Sequence, residues 1–217
     1  MRIVMPVYDE VDILDVNGPC EMFRWVQPDL ELDMVAENPG LVQFNGGYRF
    51  EVPNGLDPAP TPCDALWVPG GSPTALDRII HDPKRTFLDF LIAQAAVSRY
   101  VCSVCEGALL LAAAGLLDGY QATTHWAFIP YLMQHYRAVT VVDGHPRFCL
   151  DRNRLTGGGV SSGLDEALKL IELLTDTETA ESVQQTTQYY PEPPVHSEIP
   201  NIIKSPMPPA PTHAPTG

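Results

Sequence analysis

Cys105, Asp15 and Glu106 are the residues whose types and settings point to chemistry. In "VCSVCEGALLLAAAGLL", residues 101–117, an apolar run ends at Cys105 and a helix rich in alanine and leucine follows at once. A cysteine on such a strand-to-helix turn stands at a helix N-terminus, where unpaired N–H groups and the dipole favour the thiolate. The same kind of turn lifts a nucleophile clear of a sheet in hydrolases, and Gly107 permits close packing behind it. A buried structural thiol is the alternative use of this residue type. Cys102 lies at Cys-x-x-Cys spacing from it, but redox pairs occupy the first turn of a helix, whereas Cys102 falls inside the strand and reads as core.

Asp15 opens "DVNGP", between the first strand and a helix for which Asn17 is the expected N-cap and Pro19 a first-turn residue. With Asn17 as the cap, Asp15 is available to face Cys105 as a general acid and base; a capping carboxylate is the alternative. Pro69-Gly70-Gly71 ends another strand, where amides can approach a ligand without interference from a Cβ. That suits an oxyanion-type hole, or an ordinary glycine turn. His125 has the residue type of a triad base, or of a histidine bonded within the fold. Gly157-Gly158-Gly159 with Gly163 invites a dinucleotide reading, but Ser162 stands where the third glycine belongs. The run also comes too late to open a nucleotide-binding unit, so no nucleotide cofactor is expected.

The surrounding elements are readable. Strands are expected at Arg2 to Val7, Leu30 to Ala36, Ala65 to Val68, Tyr100 to Val104, Val139 to Val142 and Phe148 to Leu150, with a hairpin in "FNGGYRFEV". Helical patterns fall between residues 74 and 97, at Glu106 to Leu117, after "QATTHW", and in "SSGLDEALKLIELL". Thr175 or Asp176 caps one more helix, reaching to about Tyr189. Strands alternating with helices predict an α/β sandwich around a mostly parallel sheet, with ligands beyond the carboxyl ends of the strands. Asp15, Gly70-Gly71 and Cys105-Glu106 all fall at such ends.

The 217 residues suit one domain at 1–190 and a proline-rich tail at 191–217, nine of whose 27 residues are proline. The tail is expected to be loose or to lie on a partner subunit, with Ile199, Ile202 and Ile203 available to bury. A net charge of −14 argues against a nucleic-acid partner. Ala108 to Leu117, the longest apolar stretch, is too short to span a membrane, and "MRIVMPVYDE" becomes strand-like at once, without a leader. Five cysteines without small-scaffold spacing point to reduced thiols and a cytoplasmic setting. Cysteine and histidine do not cluster at metal-ligand spacing, so no metal is expected.

Taken together, D-V-N-G-P, W-V-P-G-G, S-V-C-E-G-A-L-L-L, A-T-T-H-W and T-G-G-G-V-S-S-G-L-D-E-A-L resemble the ThiJ/PfpI superfamily over residues 1 to 190. That resemblance implies the flavodoxin-like, class I glutamine-amidotransferase fold, a homodimer, no cofactor and a small-molecule substrate. Within the superfamily the isonitrile hydratase branch is the most similar, because its acid is the aspartate of D-x-x-G-P. The resemblance then implies Cys105 as nucleophile and Asp15 as its acid and base; Gly70, Gly71 and His125 are expected beside them as substrate contacts. Glyoxalase or deglycase chemistry and a non-catalytic sensor domain are the other readings it allows. Glu106 departs from the branch, which has threonine there; a second carboxyl must raise at least one proton affinity in the cluster. It is expected to supply a neutral proton donor or to mark a different substrate.

Overall fold

The computed structural model describes residues 1–26, 30–57, 59–200, 202 and 204–208. The chain begins with β1 (Arg2–Val7), α1 (Ile13–Phe23), β2 (Glu31–Ala36), β3 (Gly40–Gln43), β4 (Arg49–Val52), β5 (Asn54–Gly55) and β6 (Cys63–Val68). It continues with α2 (Pro73–Ile80), α3 (Thr86–Ala96), β7 (Ser98–Ser103), α4 (Gly107–Ala113), β8 (Gln121–Ala122) and α5 (Ile129–His135). The last elements are β9 (Thr140–Val141), β10 (Phe148–Asp151), β11 (Arg154–Gly157), α6 (Ser162–Leu174) and α7 (Thr177–Thr186).

Seven strands form the main sheet in the order β10-β11-β7-β6-β1-β2-β5, parallel throughout except for β10 at one edge. The β-branched and apolar residues of β1, β6 and β7 are buried on both sides, as a covered parallel sheet requires. The helices pack in two groups, α1 with α6 and α7, and α2 with α3 and α4. This is the α/β sandwich expected. β3 and β4 form the antiparallel hairpin, turned by Gly46 and Gly47 at φ +92° and +94°. β2 and β6 lie on opposite sides of β1. The order therefore reverses beside β1, and the crevice at its carboxyl end is where such sheets take ligands.

One element starts earlier than expected. α1 begins at Ile13 with Asp12 at the N-cap position, so Asn17 is no cap and Pro19 lies inside the helix. Pro19 lacks the N–H that would bond the carbonyl of Asp15. The indole Nε1 of fully buried Trp67 donates to that carbonyl instead, at 3.2 Å. The cost of an interior proline is thereby reduced, and Asp15 is tied to β6.

All five cysteines are free thiols, and no helix among the described residues is long and apolar enough to cross a membrane. Beyond Thr186 the described residues form no further helix or strand. Ile202 nevertheless packs on the core, Met207 is buried, and Ile199 is 48% exposed. Ile203 lies outside the described residues.

Candidate active site

Three strand ends build the site. After β7, Cys105 takes φ +56°, a left-handed conformation that costs a non-glycine residue energy and places its side chain on a sharp turn. Two backbone contacts hold the turn: the Val104 amide donates to Val68 O at 3.1 Å, and Thr124 Oγ1 donates to Cys105 O at 2.8 Å. Gly107 lets α4 start against β6, since a Cβ there would collide with the Val68 carbonyl. After β1, α1 presents Asp15 in its first turn. After β6, the Gly70 amide donates to Asp15 Oδ2 at 2.9 Å.

Folding brings Cys105 and Asp15 together with Glu106 and Asp12, each offering a ligand atom within 4.8 Å of the others. Cys105 and Asp15 are fully buried and Glu106 is 5% exposed. Asp15 Oδ1 and Glu106 Oε2 lack hydrogen-bond partners, so the cluster is electrically crowded and under-solvated. A thiol with three carboxyls is also a donor set that suits a divalent cation. It arises from α1 and the β7–α4 turn together, so the spacing of cysteine and histidine in the sequence gave no sign of it.

Proton affinities follow from this crowding. Burial, then the charges of Glu106 and Asp12, push the Asp15 carboxyl well above the usual range, against the pull of the Gly70 amide and the Cys105 thiol. Burial, then the charges of Asp15 and Glu106, push the Cys105 thiol up as well. This differs from the expectation of a favoured thiolate. Desolvation and two neighbouring carboxyls oppose the helix N-terminus, and the resting sulfur carries its proton. Glu106 is raised from 4.5 to about 7, chiefly by burial; the Cys105 thiol, its own amide and the Gly71 amide hold it down. Glu106 is thus the acid that ionises near neutrality.

The glycines behave differently from the sequence reading. The Gly70 amide is occupied by Asp15, and the Gly71 amide favours the Glu106 carboxylate. The Gly70 amide thus holds a carboxyl group and is not an open oxyanion-hole donor. Gly70 also has no room for a Cβ, which would meet Glu106 and Asp15. His125 is brought to the cluster, with Nδ1 3.9 Å from Glu106 Oε1. Nδ1 accepts from the Ala127 amide at 3.3 Å, and burial lowers the ring's proton affinity. The ring is thus shifted toward its neutral form, and its Nδ1 is engaged by the Ala127 amide.

Three features went unread in the sequence. Gly159, at φ +122°, abuts the thiol, because a Cβ there would lie 2.5 Å from Cys105 Sγ. A Cβ on Gly157 would collide with the Glu166 carboxyl. The glycine run thus serves close approach, with no phosphate involved. Glu166 itself is fully buried behind the site, both oxygens unpartnered, and burial above all pushes its carboxyl well above the usual range. Its signal was a carboxyl on the apolar stripe of α6, in register with Gly163, Ala167 and Leu170. Asp12 became visible only once α1 was known to start at Ile13.

A raised proton affinity has a consequence for stability. The folded Glu106 holds its proton more tightly than the unfolded chain does. The stabilisation is therefore fully present below about 4.5 and is lost as pH rises through about 7, at a cost of about 3 kcal/mol. Glu106→Gln is expected to melt with a smaller drop between pH 5 and pH 8 than the unaltered chain, as read by thermal denaturation.

A mostly parallel α/β sandwich with a protonated cysteine on a strained strand–helix turn after β7, facing carboxyls that follow β1 across β6, defines a cysteine site of the flavodoxin-like class. The chain belongs to the DJ-1/PfpI family, which matches residues 1–173. It is 36% identical to an isonitrile hydratase of Pseudomonas putida over 205 residues, covering 94% of this chain and 86% of that protein. It is also 32% identical to the transcriptional regulator GbdR of Pseudomonas aeruginosa over 151 residues, covering 70% of this chain but only 37% of the regulator. Among solved structures, a ThiJ/PfpI family protein from Pseudomonas syringae superposes with a TM-score of 0.80 at 32% identity, covering 89% of this chain and 77% of that one. DJ-1beta of Drosophila melanogaster shares the fold, with a TM-score of 0.75 at 17% identity over 86% of this chain and 97% of its own.

Proposed function

We propose that this chain is a cofactor-free isonitrile hydratase, converting R–N≡C and water to the formamide R–NH–CHO. The observation that carries the reading is the apposition of the Cys105 thiol and the protonated Asp15 carboxyl in one buried cluster. The 36% identity to a hydratase supports it. The isonitrile carbon must gain both a nucleophile and a proton, and this pair offers one of each.

In the first step the Cys105 sulfur attacks the terminal carbon, Asp15 protonates that carbon, and the thiol proton passes to the Glu106 carboxylate. The product is a thioimidate, Cys–S–CH=N–R. Water then adds to its carbon, giving one proton to Asp15 while Glu106 returns its proton to nitrogen. The tetrahedral adduct collapses to formamide, and its hydroxyl proton passes through Glu106 back to sulfur. All three groups end as they began. Glu106 so placed is a base, in place of the neutral donor the sequence suggested, and Asp15 is the neutral acid.

The pH dependence follows. kcat/KM rises with pH to a level above about 7, as Glu106 ionises. Glu106→Gln lowers the rate and removes this limb, as read from initial rates between pH 5 and pH 8. Incubation with ethyl isonitrile, with the formamide followed by chromatography, tests the assignment; no formamide, with product from methylglyoxal instead, would favour a glyoxalase or deglycase reading. The match to a regulator favours a second reading, a ligand sensor, for which the isonitrile would bind and be recovered unchanged. A homodimer and a cytoplasmic location belong to the same proposal, and exposed Leu41 and Tyr48 on the β3–β4 hairpin are apolar surface a second copy would cover.

A further inference from the structure

A small cavity of about 80 Å³ lies beside the nucleophile, walled by Thr124, Trp126, Arg147, Gly158, Gly159 and Ile199. Two of these walls touch Cys105 directly: Gly159 lies against Sγ, and Thr124 bonds its carbonyl. The sulfur and the cavity are therefore separated by a glycine that carries no side chain.

Among the described residues, no carboxylate lines the cavity. Of its two basic members, Arg147 and His145, Arg147 is ion-paired with Asp165 and reaches Ser161 Oγ at 3.3 Å and Tyr189 Oη at 3.4 Å, so its charge is already answered. Trp126 and Ile199 supply apolar surface. Ile199 comes from the proline-rich tail, which Ile202 and Met207 anchor to the core. At about 30 Å³ per water, the space matches two or three waters, or a short alkyl group.

We propose that this cavity receives the N-substituent of the substrate and that Ile199 sets its size, so that small, uncharged alkyl isonitriles are preferred over ring-bearing ones. The proposal rests on the hydratase reading for the substrate's identity, but the role of Ile199 as a wall does not. Shortening Ile199 opens the cavity toward solvent, and enlarging it closes the cavity. Discrimination of this kind, by one or two carbons in an apolar pocket, is worth on the order of tenfold in relative rate.

The test uses the full-length chain as Ile199→Ala and Ile199→Trp; a half-exposed residue can be changed without unfolding the domain. Two readouts are taken. One is kcat/KM for ethyl against cyclohexyl isonitrile. The other needs no turnover: alkylation of Cys105 by iodoacetamide against N-phenyl iodoacetamide, located by peptide mass spectrometry. Ile199→Ala is expected to raise the bulky-to-small ratio about tenfold in both readouts, and Ile199→Trp to lower it. Alkylation ratios unchanged in both variants overturn the proposal, whatever the chain does with isonitriles. A shifted alkylation ratio without any formamide overturns the hydratase reading and keeps Ile199 as the wall.

Discussion

Cys105→Ala is expected to lower isonitrile hydration by about 10⁴-fold or more, because the covalent route then has no nucleophile. The effect should fall on chemistry alone. The change removes one sulfur from a site already bounded by Gly159 and leaves the turn's backbone bonds to Val68 and Thr124 in place. The small void costs about 1 kcal/mol, so the circular dichroism spectrum should be unchanged and the melting temperature nearly so. A variant that folds and retains full turnover would remove Cys105 from the mechanism.

Asp15→Asn is expected to reduce kcat by about 10²- to 10⁴-fold with little change in KM, since the amide can neither protonate carbon nor accept a proton from water. Asparagine can still accept from the Gly70 amide, and the Asp15 carbonyl keeps its bond from Trp67, so the geometry survives. A second readout separates chemistry from charge. Asp15 is protonated at rest, so Asp15→Asn replaces one neutral group with another. Cys105 in this variant should react with iodoacetamide at pH 7 at nearly the unaltered rate even as hydration is lost. A large change in the alkylation rate would show that Asp15 acts on the thiol by its charge.

Much of this arrangement was legible because it depends on local pattern. An apolar run passing without a break into an alanine- and leucine-rich helix located the Cys105 turn, and Asn45-Gly46-Gly47 located the hairpin. The rest depends on partners distant in sequence. Pro19 marks a helix start only where no other donor serves the Asp15 carbonyl; Trp67, 52 residues away, does so and moves the start of α1 to Ile13. The same distance hid Asp12 from the cluster. The thiol's proton affinity took the other sign because burial among carboxyls outweighs a helix end. The Gly70 amide looked open to substrate only while Asp15, which occupies it, was unplaced. Glu166 was visible as a misplaced charge on an apolar stripe, but its position behind Ser103 and Gly157 needed the packing of α6 on β11.

In the proposed reaction, isonitrile carbon becomes bonded to Cys105 during turnover. Rapid acid quenching of the chain with ethyl isonitrile, followed by mass analysis of the Cys105 peptide, reads it directly. A transient gain equal to one substrate molecule is expected on Cys105, appearing before formamide is released and absent from Cys105→Ala. Formamide released at the same rate by Cys105→Ala, with Cys105 of the unaltered chain free of that mass throughout turnover, would contradict it.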